Sequence, residues 1–121
     1  MTKHNVVHIE IPSKDRKKTS KFYQDLFGWK LTEHDEMNYT LFDPEEGPGG
    51  GFPPVDGNLN KVDRVLVYFA SDDIEADLKK VESLGGKTIM GKIEIPGQGW
   101  FGVFTDPDGN TIALYTSANR S

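Results

Sequence analysis

Val6-Val7-His8-Ile9-Glu10-Ile11, followed by Asp15 and closed at Gly28, decides the fold. Val7, Ile9 and Ile11 alternate with His8 and Glu10, the period-two pattern of a half-buried strand. From Asp15 to Phe27 the apolar residues Phe22, Tyr23, Leu26 and Phe27 fall at helical spacing, and Gly28 stands where a left-handed C-cap is wanted. The pattern then recurs. Arg64 to Ala70 alternates again, Asp72 with Glu75 predicts a capping box, and Ile74, Leu78, Val81 and Leu84 trace one helical face that stops at Gly85-Gly86. A shift of 58 residues lays Asp15 on Asp73 and Gly28 on Gly86.

Short strands are predicted after each helix: 29–32, 39–42 and one within 47–52, then 87–90, 100–105 and 111–116. The chain therefore reads as two βαβββ modules, about 4–53 and 63–117, joined by a linker over 54–62. The expected architecture is one α+β domain whose concave mixed β-sheet forms a cup for a ligand.

Composition narrows the partners. The 121 residues are 36% apolar and 27% charged, which suits a folded domain. With 14 basic against 19 acidic residues the net charge is −5, which repels phosphate backbones, so no nucleic acid is expected. Val65 to Ala70 is far too short an apolar run to cross a bilayer, so no membrane is expected. Met1-Thr2-Lys3-His4 lacks the apolar stretch of a secretory signal, and a cytoplasmic location is the expectation. Without cysteine, thiolate metal sites, Cys nucleophiles and disulfides are excluded. Gly97-Gln98-Gly99-Trp100-Phe101-Gly102 matches the spacing of a dinucleotide loop, but a strand follows where a helix N-terminus would have to receive the pyrophosphate. It reads instead as a flexible loop. Lys14, Arg16, Lys17, Lys18 and Lys21 read as the solvated side of the first helix.

The paired modules, His8 on the first strand, Phe22-Tyr23, Leu26-Phe27-Gly28-Trp29, Asp72-Asp73-Ile74 and Asp106-Pro107-Asp108-Gly109-Asn110 together resemble the vicinal oxygen chelate superfamily. That superfamily contains glyoxalase I, bleomycin-resistance proteins and extradiol dioxygenases. Ile95-Pro96-Gly97-Gln98-Gly99-Trp100 is similar to a subgroup described as related to lactoylglutathione lyase. In metal-using members the resemblance implies a divalent cation held by His and Glu side chains from equivalent strands. His8 matches the first ligand position. The other three positions match Leu66, Ala113 and a residue near Gly50 or Gly51, none of which coordinates through a side chain. His8 and Glu10, roughly 6.5–7 Å apart on one strand face, give two donors where a catalytic site ordinarily has about three, so neither metal nor cofactor is expected.

His8 and Glu10 are the candidate acid/base residues, since imidazole titrates near neutrality and a desolvated carboxyl titrates higher than usual. The expected ligand-binding residues are Tyr39, Leu66, Tyr68, Trp100, Ala113 and Tyr115, with the aromatic rings as stacking surfaces and Trp100 as a lid. The expected function is binding of a small organic molecule in the cup without a catalytic metal, either to sequester it or to carry out metal-free acid/base chemistry. The alternative is a divalent-metal-dependent lyase or dioxygenase with a non-standard ligand set. The resemblance also implies a homodimer.

Overall fold

A computed structural model of the chain describes residues 3–118; Met1-Thr2, read above for a targeting segment, lies outside them. In order the elements are β1 (Val6–Glu10), α1 (Arg16–Phe27), β2 (Lys30–His34), β3 (Tyr39–Asp43), β4 (Gly49–Phe52), β5 (Leu66–Ala70), α2 (Ile74–Ser83), β6 (Lys87–Ile95), β7 (Gly99–Thr105) and β8 (Thr111–Ser117). A single 3₁₀ turn, Asp35–Met37, links β2 to β3. The chain is α+β and runs βαβββ twice, as the sequence predicts. By their contacts the residues form two compact units, 8–66 and the remainder.

The offset of 58 residues survives at the helix starts, while at the ends it slips by one, since the left-handed glycine after α2 is Gly85 and not Gly86. Asp15 and Asp73 are both extended N-caps, with φ of −150° and −151°, and their carboxylates accept from the amides of Lys18 at 3.3 Å and Ala76 at 3.0 Å. Asp72, expected to open the second capping box, stands one residue too early. The register that buries Ile74 and Leu78 makes Asp73 the last extended residue before the helix. Two residues before each cap a buried serine repeats as well. Ser13 Oγ accepts from the Asp15 amide and bonds Thr19 Oγ1 at 2.6 Å, while Ser71 Oγ accepts from the Asp73 amide and donates to Asp77 Oδ2 at 2.6 Å.

In the unit of residues 8–66 the strand order is β2-β3-β4-β1, with β4 parallel to β1 and the other pairs antiparallel. The helix-facing side carries buried Phe42 and Phe52, and aromatic rings fill the layer between: Trp29 stacks on Phe42 at 4.3 Å and Tyr23 on Phe52 at 5.5 Å. Tyr23 alone of the predicted α1 stripe turns substantially inward. Phe22, Leu26 and Phe27 stay 59%, 56% and 56% exposed.

In the other unit the order is β5-β8-β7-β6, with β5 parallel to β8. Ile74 and Leu78 of α2 bury against Leu114, flanked by Phe69, Trp100 and Phe104. The strand β6 continues to Ile95, beyond the predicted 87–90, and two irregularities in its pairing with β7 break the alternation that would have announced it. Ile95 pairs with Gly99, so the glycine-rich segment is a tight hairpin rather than a flexible loop. Gln98 N–H donates to Ile95 O at 2.9 Å, and Gly97 takes the left-handed conformation the turn requires, at φ 75°. Among the described residues no helix is long and apolar enough to cross a membrane.

Candidate functional site

The face of β1, β4 and β3 opposite the aromatic layer carries His8, Glu10, Gly51 and Tyr39. His8 and Glu10 are two residues apart on β1 and project the same way. Parallel pairing sets Gly51 of β4 beside Glu10, and Leu41 of β3 lies across from Gly51. Tyr39, two residues before Leu41, therefore shares this face. Its ring lies over Gly51: a Cβ added there would stand 2.1 Å from Tyr39 Cζ and Oη. Only a residue without a side chain admits the phenol.

The hydroxyl thereby reaches β1. Tyr39 Oη donates to Glu10 Oε2 at 2.8 Å and lies 2.8 Å from His8 Nε2, while His8 Nε2 and Glu10 Oε2 are 4.0 Å apart. A phenol has one hydrogen, and with it directed at Glu10 the oxygen can only accept from His8. A neutral imidazole in this network then carries its proton on Nε2. The His8 and Glu10 side chains are 27% and 13% exposed. Burial lowers the pKa of His8 below its ordinary value, which favours the neutral ring near pH 7. The three groups form one hydrogen-bonded chain able to hold or pass a proton.

Arg16, at the start of α1, anchors the entry to β3. Its guanidinium donates to Tyr39 O at 3.2 Å, Thr40 Oγ1 at 3.0 Å, Glu33 Oε1 at 2.9 Å, Asp35 Oδ1 at 3.2 Å and Asn38 Oδ1 at 3.1 Å. Buried Thr40 adds its own bond to Glu33 Oε1 at 2.7 Å. Sequence reasoning grouped Arg16 with the solvated lysines and missed this role. The available signal was an arginine among lysines, since only the planar fork serves several acceptors at once.

The donors do not fit a divalent cation. Among the described residues no three His, Asp or Glu side chains gather as metal ligands, and the two that come close, His8 and Glu10, both bond the Tyr39 hydroxyl. Leu66 and Ala113 are 1% and 0% exposed, aliphatic and buried.

The other expected residues are placed differently. Tyr68 pairs with Ala113, Phe101 pairs with Tyr115, and the Tyr68 and Phe101 rings are 6.5 Å apart, so Tyr68, Ala113 and Tyr115 share one face of their unit. The Tyr115 hydroxyl donates to Gln98 O at 2.9 Å and fastens the hairpin. Trp100 pairs with Thr116 on the opposite face, where it packs on the α2 core with Lys92 Nζ 5.2 Å from its ring centre. It is placed as a packing residue rather than a lid. A shallow hollow of about 400 Å³ lies along α1, lined by Ile11, Pro12, Lys18, Thr19, Phe22 and Tyr23, away from the His8 cluster.

Residues 5–114 match the family model of the Glyoxalase/Bleomycin resistance protein/Dioxygenase superfamily. The chain belongs to this superfamily. It is 33% identical to a glyoxylase-like domain-containing protein of Didymella fabae, over 93% of each chain. It is 30% identical to the anthracycline biosynthesis protein DnrV of Streptomyces peucetius, covering 88% of this chain but only 45% of that longer protein. Among solved structures, methylmalonyl-CoA epimerase of Mycobacterium tuberculosis superposes with a TM-score of 0.69 at 15% identity, covering 94% of this chain and 88% of the other. A superfamily member from Vibrio splendidus gives 0.68 at 15% identity, covering 93% and 98%. At such identities the superfamily fold is what is shared.

Proposed function

We propose that this superfamily member binds a small organic molecule against the His8–Tyr39–Glu10 face and moves a proton on it without a metal, as an isomerase, epimerase or lyase would. The observation that carries the proposal is the Tyr39 hydroxyl at 2.8 Å from both His8 Nε2 and Glu10 Oε2. A neutral imidazole and a carboxylate joined through a phenol can take a proton from a ligand and return it, with the charge spread along the chain. In the proposed relay an imidazole nitrogen accepts the proton, Nε2–H passes to the phenol oxygen, and the phenol proton passes to Glu10. The ligand loses one proton and the carboxylate gains one. The epimerase among the fold neighbours is of the proposed reaction class and shares the fold, without assigning that chemistry to this chain.

The chain is further proposed to act in the cytoplasm as a homodimer, and the large apolar side chains left in water on α1 are surface a second copy would cover. Melting-temperature shifts across a panel of small metabolites and antibiotics identify the ligand class, and turnover is then assayed with and without EDTA. The expected result is turnover that survives chelation and is lost in His8→Ala. Turnover abolished by EDTA, or retained in His8→Ala, overturns the proposal. Ligand binding without turnover leaves the sequestering role in its place.

A further inference from the structure

We propose that the Tyr39–Gly51 pair helps keep a divalent cation out of this site: the phenol hydroxyl engages the two atoms, His8 Nε2 and Glu10 Oε2, that an ion would have to bind, and Gly51 makes room for the ring. Two donors 4.0 Å apart can both approach an ion lying about 2.0–2.2 Å from each. The hydroxyl oxygen already sits within hydrogen-bond distance of both, so ion and phenol compete for the same pair of atoms. The hydroxyl bridge is therefore a barrier in addition to the shortage of donors.

The space is interlocked on its other side as well. Gly51 lies beside Glu10 in the parallel register, on the face that carries both donors, so a carboxylate there would point at the same place. Its first carbon would meet the Tyr39 ring at 2.1 Å. A side chain at position 51 and the phenol of Tyr39 are mutually exclusive. The site has either a third donor or the hydroxyl bridge.

Zinc titrated calorimetrically into the intact protein at pH 7 tests this, with the change His8→Ala separating this site from exposed histidines. Wild type is expected to show no His8-dependent binding below about 1 mM. Tyr39→Phe, which removes the hydroxyl and keeps the ring, is expected to bind one zinc per chain at least ten-fold more tightly. Tyr39→Ala with Gly51→Glu adds a carboxylate and is expected to gain a further ten-fold. Both gains disappear when His8→Ala is added. Two results overturn the inference: His8-dependent zinc binding by wild type as tight as by Tyr39→Phe, or no gain in folded Tyr39→Phe. If the double variant does not fold, Tyr39→Phe decides alone. The titration needs no organic ligand, so its failure is distinguishable from failure of the proposed proton chemistry.

Discussion

Replacing Gly51 by alanine adds one carbon, and the structure says what that carbon meets. The Cβ would stand 2.1 Å from Tyr39 Cζ and Oη, well inside contact distance, so the ring has to leave. With it go the bond to the Glu10 carboxylate, of the charge-assisted kind worth about 1.5–3 kcal/mol, and the bond to His8, worth about 1 kcal/mol. Glycine in a strand interior is itself unfavourable relative to alanine by roughly 0.5–1 kcal/mol, which offsets part of the loss. A net destabilisation of about 2–3 kcal/mol is expected, read from the urea midpoint at constant slope. The mechanism is checked by a double-mutant cycle with Tyr39→Phe. If alanine acts by evicting the hydroxyl, the two changes share one loss and their combination costs about 1–2 kcal/mol less than the sum. Gly51→Ala within about 0.5 kcal/mol of wild type, or strictly additive effects, would refute the reasoning.

Other outcomes follow from the same contacts. Burial lowers the His8 pKa, so below about pH 6.5 the unfolded chain takes up a proton that the folded chain refuses. Stability should therefore fall as pH drops through 6.5 toward the folded-state pKa, and His8→Gln should flatten that limb of a pH series of urea melts. Arg16→Lys keeps the charge but cannot reach five acceptors, and a loss of about 1–3 kcal/mol is expected by the same assay. A loss below about 0.5 kcal/mol would show that the anchor is idle. Asp73→Ala removes the α2 cap and should cost about 1 kcal/mol; no loss would return the cap to Asp72.

The fold was legible because period and punctuation are local properties. Alternation around His8, the Asp15 and Gly28 boundaries, and the recurrence of the Asp15 cap at Asp73 needed no long-range information. The misplacements have physical causes. The end of β6 was hidden by its irregular pairing, where the residue pattern slips and exposed Gly91-Lys92 resembles a break. The α2 cap moved by one residue because burial of Ile74 and Leu78, and not the spacing of acids, fixes where the helix turns begin. Trp100 was legible as aromatic but not by face, because its parity depends on where the Gly99 pairing starts.

The site was half legible. Strand parity placed His8 and Glu10 side by side, and Tyr39 was a candidate ring. That its hydroxyl joins them was not readable, because a phenol reaching strands some thirty residues away in sequence depends on vacant volume over Gly51. A glycine-rich strand announces flexibility or close approach. It does not say which neighbour takes the room.

The serine brackets at Ser13 and Ser71 fasten each helix at the point where it leaves its strand, through groups that take no part in the strand faces. Attachment of the helices and the side chains displayed on the strands are thus written at separate addresses. Substitutions at half-buried Phe101 and Tyr115 would therefore change the face that β7 and β8 display while both helices stayed moored.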